Sequence, residues 1–127
     1  MRAFKMKPDR SEFHVVRNLR YHVRCWGNAG APKLFLLHGW MDVSASFQFV
    51  VDALRGDWHV IAPDLRGHGD SQWAPDGSYD TASFVYDLAQ LIHQLDRGGE
   101  LHAQGLVAEE HHLHLVALLH VGERLVD

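Results

Sequence analysis

Leu34-Phe35-Leu36-Leu37-His38-Gly39-Trp40 is the stretch that decides the fold class. Four consecutive apolar residues predict a strand covered on both faces, and the run gives way to His38 and then Gly39, where the backbone can turn sharply because no Cβ obstructs it. Beyond it the period changes. Phe47, Val50, Val51 and Leu54 stand at i, i+3, i+4 and i+7, which predicts an amphipathic helix with Ser44 placed to cap its first turn. Val60-Ile61-Ala62 is a second short apolar run, ended by Pro63. Strand, helix and strand in that order imply a right-handed parallel crossover, hence an α/β protein.

Upstream, Tyr21, Val23 and Cys25 alternate with Arg20, His22 and Arg24, the period of a strand with one buried face. Phe13 and Val15 alternate in the same way, and Arg17-Asn18 between the two segments suits a tight turn, so the pair is read as a β-hairpin. Downstream, a polar, glycine-rich stretch from Arg66 to Ser78 precedes a second helix, whose Phe84, Leu88, Leu91, Ile92 and Leu95 share a face. Asp80 is its candidate cap and Gly98-Gly99 its candidate stop. The chain divides into residues 1–95 and a histidine-rich segment, 96–127. The composition of Glu109–Leu119 favours a helix, although Leu113, Leu115, Ala117, Leu119 and Val121 also alternate as in a strand; the helix is the expectation.

At 127 residues, with 46% hydrophobic and 22% charged, the chain has the make-up of one globular domain rather than a disordered segment. A formal charge of −4 without a dense Lys/Arg run argues against nucleic acid or an anionic membrane as partner. Cys25 is the only cysteine, which excludes an intramolecular disulfide and fits a reducing compartment; the thiol is read as buried and structural. Met1–Arg10 has no apolar stretch behind it, and no apolar run approaches the roughly 18 residues of a membrane span, so a cytoplasmic location is expected.

The polar residues that follow the two apolar runs carry the functional information. His38-Gly39-Trp40 follows one, and Asp64-Leu65-Arg66-Gly67-His68-Gly69-Asp70-Ser71 the other, and sites in open α/β sheets gather at such strand ends. These two motifs, an HG turn and a D-x-R-G-x-G-x-S loop, resemble those of the α/β-hydrolase fold family. The resemblance runs from about Phe13 to Leu95, half or less of what a full domain of that family needs. It implies a partial α/β-hydrolase fold, with an N-terminal hairpin, a parallel βαβ unit and a second helix, and a hydrolase without a cofactor. The substrate would be a small molecule cleaved at an ester, amide, epoxide or carbon–halogen bond. It also implies that the Trp40 backbone N–H belongs to an oxyanion hole, with Gly39 shaping the turn. His38, Asp64, Arg66, Gly67, Gly69 and Ser71 are read as structural: His38 bonding backbone, Asp64 and Ser71 bonding the local loop, Arg66 bracing it.

The nucleophile of such enzymes sits in G-x-S-x-G, followed by an acid and a histidine. Ser71 stands at the wrong place for that role, no serine follows Ser83, and nothing reads G-x-D-x-G. The expectation is a truncated or frame-disrupted hydrolase, silent as this chain; the alternative is a noncatalytic binding module that keeps part of the site. A third reading is metal binding by His111, His112 and His114 beside Glu109 and Glu110. Their spacing matches no H-E-x-x-H or paired-cysteine site, so a solvated tail is preferred and no metal is expected. The family places its nucleophile-bearing strand beside the HG strand. Without that neighbour the 34–37 strand would have an open edge, inviting self-association or aggregation, unless Leu113–Val121 docks there.

Overall fold

The computed structural model describes residues 6–96 and the strands at 101–109 and 114–121. In chain order the elements are β1 (Asp9–Val16), β2 (Leu19–Trp26), β3 (Lys33–Leu36), a 3-10 turn (Ser44–Phe47) running into α1 (Gln48–Ala53), β4 (His59–Pro63), α2 (Thr81–Asp96), β5 (Leu101–Glu109) and β6 (His114–Val121). The sheet order is β1-β2-β4-β3-β6-β5.

The expected hairpin forms, with Val16 opposite Leu19. Arg17 and Asn18 both take positive φ, 46° and 67°, the twist that a two-residue loop needs to match its strands. The parallel crossover also forms: β3 and β4 pair in parallel, Leu34 beside Val60 and Phe35 beside Ile61. Two apolar layers flank the sheet. One joins Val16, Tyr21, Val23, Phe35 and Ile61 to Leu91 and Ile92 of α2; the other joins Trp26, Leu34, Leu36 and Val60 to Phe47 and Val51.

The structure corrects several expectations. The polar face of β2 is only partly wet: Arg20 is exposed and Arg24 half-buried, but His22, on the side opposite Tyr21 and Val23, is 1% exposed, because the loop after β4 lies over it and bonds it. Ser44 is not a helix cap; it sits inside the 3-10 turn, its hydroxyl accepting from Arg24 and its N–H donating to Asp64. The helix α1 is only six residues long, and Val50 faces outward. Asp80 directly precedes α2, its carboxylate accepting the Ser83 hydroxyl.

Where the described residues cover the helix expected over Glu109–Leu119, they are strand instead. β5 and β6 make an antiparallel pair, and β6 runs antiparallel along β3, Leu119 opposite Phe35. Pairing with the edge of β3 satisfies backbone groups on both strands, which outweighs a weak helical preference. Gly98, Gly99, Glu110, His111, His112 and Leu113 lie outside the described residues, so the tail metal site is not among the arrangements seen. No helix among the described residues is long and apolar enough to cross a membrane.

Candidate active site

The turn after β3 and the loop after β4 meet at the carboxyl ends of their strands. Asp64 organises the junction. Its carboxylate, 2% exposed, accepts the Ser44 N–H at 2.7 Å, His22 Nδ1 at 2.6 Å and the Asp70 N–H at 3.2 Å. Burial pushes the Asp64 carboxyl up, but these donors outweigh it and hold the group below the usual carboxylate range. Gly69 is required here: it has φ +50°, and a Cβ on it would stand 2.4 Å from the Asp64 carboxylate.

Ser71 is fully engaged by backbone, its hydroxyl donating to the Asp64 carbonyl at 2.5 Å and accepting the His22 N–H at 2.9 Å. Arg66 reaches away from the turn to α2, donating to Asp87 at 2.6 and 2.7 Å and to the Ser78 carbonyl at 3.0 Å. Tyr21 donates to the same carboxylate and accepts the Arg66 N–H. Gly67 has φ +77° and leaves room for the Tyr79 ring.

Two histidines cross-link the turn and the loop. The Leu65 N–H donates to His38 Nε2 at 2.9 Å, so the proton of that ring is on Nδ1, which donates to the Gly39 carbonyl at 2.8 Å. The arrangement is reciprocated. Met41 N–H donates to His68 Nε2 at 3.3 Å, leaving Nδ1–H for the Arg66 carbonyl at 3.0 Å. The rings lie 4.9 Å apart. His38 is 3% exposed, and its burial pushes its pKa below the ordinary imidazole value.

Beside them opens a cleft of about 290 Å³, with walls from Leu37, Trp40, Leu65, Phe84, Val85 and Leu88. Gly39 is buried at its base and Trp40 is 61% exposed at its rim. Trp40 is thus a wall residue of an apolar cleft, and its N–H is without an acceptor among the described residues.

A second constellation has the bond order of a serine–histidine–aspartate relay: Ser11 Oγ lies 2.8 Å from His22 Nε2, and His22 Nδ1 lies 2.6 Å from Asp64. Ser11 is on β1, and other residues line the cleft. His22, Asp64 and Asp70 also bring ligand atoms within 4.8 Å of one another, but the Asp64 oxygens already face the Ser44, Asp70 and His22 donors. Cys25 is buried, donates to Glu12 at 3.2 Å, and is pushed up to about 12, chiefly by burial and then by Glu12, which makes it inert.

Asp87 and His22 were not singled out from the sequence. Asp87 had a readable signal, since it lies three residues after Phe84 and four before Leu91, on the apolar face of α2. His22 had none, because a polar residue at alternate positions of a strand reads as solvent-facing.

Residues 32–105 match the family model described as "alpha/beta hydrolase fold". The chain is 32% identical over 73 residues to a serine hydrolase-like protein of Homo sapiens, covering 57% of this chain and 36% of that protein. It is 37% identical over 81 residues to a soluble epoxide hydrolase of Corynebacterium sp., covering 64% and 27%. Among solved structures, a haloalkane dehalogenase loop variant from Bradyrhizobium elkanii superposes with a TM-score of 0.64 at 30% identity, covering 69% of this chain and 29% of that one. The chain thus spans little more than a third of the first of these relatives and less of the other two.

Proposed function

Because the chain belongs to the α/β-hydrolase fold family, we propose that its 127 residues form the electrophile-binding side of a hydrolase site and do not turn over substrate by themselves. The observation that carries this is Trp40, which lines an apolar cleft beside the buried Gly39 while no acceptor among the described residues engages its N–H. In acyl transfer such a donor stabilises the oxyanion that forms when a carbonyl is attacked, and it acts at no reorganisation cost only if it is already in place. Attack itself needs a nucleophile, and among the described residues no serine lines the cleft: the Ser71 hydroxyl donates to the Asp64 carbonyl, the Ser44 hydroxyl accepts from the Arg24 side chain, and Ser11, beside His22, stands on β1 away from the cleft walls. The cleft suits a small, largely apolar acyl group. The names of the relatives span serine hydrolase-like proteins and an epoxide hydrolase, so ester and epoxide substrates are the candidates for a complete site.

A second reading, a noncatalytic ligand-binding module, is favoured by one observation. β6 takes the edge of β3, where the resembling enzymes carry the nucleophile strand, and it runs antiparallel. A sheet completed in that way keeps the cleft without needing the rest of a catalytic domain.

Amide chemical shifts followed during addition of sodium butyrate test the binding role. Trp40 should move while amides of β1 and β2 stay in place; movement elsewhere with Trp40 unchanged would remove the oxyanion assignment. Hydrolysis of p-nitrophenyl butyrate should not exceed a matched protein blank. A fluorophosphonate probe that labels wild type, but not Ser11→Ala or Ser71→Ala, would overturn the claim of silence and identify the nucleophile.

A further inference from the structure

The two histidines between the turn and the loop have a role that the cleft alone does not explain. We propose that His38 and His68 are positioning residues that together fix the direction of the Trp40 N–H, each doing so only as a neutral imidazole. The proposal builds on the reading of Trp40 as the oxyanion donor.

The peptide group joining Gly39 to Trp40 is trans, so its carbonyl and its N–H point in opposite directions. His38 Nδ1–H holds the Gly39 carbonyl at 2.8 Å, and the Asp42 N–H supports the same oxygen at 3.2 Å. Anchoring that oxygen sets where the Trp40 N–H points. On the far side of Trp40, Met41 has φ +60°, which an L-residue with a long side chain rarely adopts unless its surroundings impose it. Its N–H is held by His68 Nε2. Trp40 is therefore bracketed by two peptide groups, each fastened to a different ring. Each ring is in turn seated on the loop after β4, through Leu65 N–H for His38 and the Arg66 carbonyl for His68. The loop's conformation, set by Asp64 and Arg66, is thereby transmitted to the donor.

Both fastenings require an unprotonated Nε2. A proton there turns an acceptor into a donor facing another N–H, so protonating either ring breaks one link to the bracket. The groups facing His38 are His68, Asp64 and Asp42, and the His68 ring meets His38, the Trp40 ring edge-on at 5.8 Å and the Phe84 ring at 6.2 Å. The two carboxylates favour the imidazolium form of His38; burial and the neighbouring ring oppose it more strongly.

Hydrogen exchange at single amides reads the bracket directly, because the Leu65 and Met41 N–H groups have the imidazole nitrogens as their acceptors. In wild type both amides should be protected at about pH 7.5, and Leu65 should lose roughly tenfold or more of that protection as acid protonates the His38 ring below the ordinary imidazole range, with β1–β2 amides unchanged. His68→Phe should abolish Met41 protection. His68→Gln, whose side-chain oxygen also accepts, should restore it. The Trp40 shift induced by butyrate should weaken in His68→Phe and recover in His68→Gln. Protection at Met41 that ignores His68→Phe, or protection at Leu65 that persists however far the pH falls while the β1–β2 amides remain protected, would overturn the proposal. Should the variants not fold, the wild-type acid profile of Leu65 decides by itself. Loss of the butyrate response with an intact bracket would instead count against Trp40 as the oxyanion donor, so the two readings fail separately.

Discussion

Arg66 meets Asp87 through two nitrogens, at 2.6 and 2.7 Å, in a contact where the carboxylate is wholly buried and the guanidinium nearly so. This pair joins the loop after β4 to α2, and the Tyr21 hydroxyl and Arg17 complete the carboxylate's shell. Removing one member of a buried pair leaves the other charged without a partner, which costs about 3–5 kcal/mol, whereas replacing both with apolar residues is often neutral. Asp87→Ala should therefore lower the urea midpoint sharply, and Arg66→Leu with Asp87→Leu should recover most of the loss. A double variant as weak as the single would show that the hydrogen bonds to Tyr21 and Ser78, rather than the charge, hold α2 in place.

Acid should destabilise the fold before carboxylates titrate. Burial depresses His38, and burial together with Arg10 and Lys33 depresses His59. With folded pKa values below the ordinary 6.5, the unfolded chain takes up these protons first, so stability is complete above that value and declines as pH falls through it. Asp64 adds a second decline at lower pH, as its depressed carboxyl is protonated. Thermal midpoints should drop between about pH 7.5 and about pH 5.5, and less so in His38→Gln. A flat profile across that range would contradict the neutral state assigned to His38.

His59 is a site where less polarity should help. Among the described residues both of its ring nitrogens are buried without a hydrogen-bond partner. An unpaired buried polar atom costs about 1–3 kcal/mol, so His59→Leu should raise the melting temperature by the equivalent of roughly 1 kcal/mol. A fall instead would mean that the ring binds water or another partner.

The pairing of β6 with β3 is testable by one substitution. Proline at the position opposite Phe35 removes a strand N–H and disfavours central pairing, so Leu119→Pro should expose the β3 edge. Light scattering on a sizing column should then show larger species. A monomer with an unchanged melt would indicate that β6 does not protect that edge.

Much of the fold was legible because it rests on local period. The apolar runs Leu34–Leu37 and Val60–Ala62, the Arg17-Asn18 turn and the apolar face of α2 each announce their element within a few residues. Gly69 was legible too, since it stands at positive φ where a Cβ would meet the Asp64 carboxylate. What escaped depends on contacts between distant segments. His22 and Ser44 look solvent-facing and cap-like, yet both serve Asp64, 42 and 20 residues away. β6 was half legible: residues 113–121 alternate as a strand does while their composition favours a helix, and the available edge of β3 decides between the two. The pairing of His38 with His68 was invisible for the same reason: two histidines 30 residues apart carry no periodic signal.

The position of β4 also governs the order in which the chain can assemble. β1 and β2 are joined by two residues and can zip within microseconds, with no other strand present. β2 and β3, though adjacent in sequence, exchange no ladder bonds; β4, made later in the chain, is wedged between them and pairs with both. The hairpin must therefore wait for β4, and β6 can add only to a β3 already held. Pulse-labelled refolding should show protection in the hairpin first, in β2–β4 and β3–β4 together next, and along β3–β6 last; simultaneous protection of all four pairs would mean that the sheet closes in one step. A chain emerging from synthesis follows the same sequence, and until residue 63 is available β3 is a strand without a neighbour.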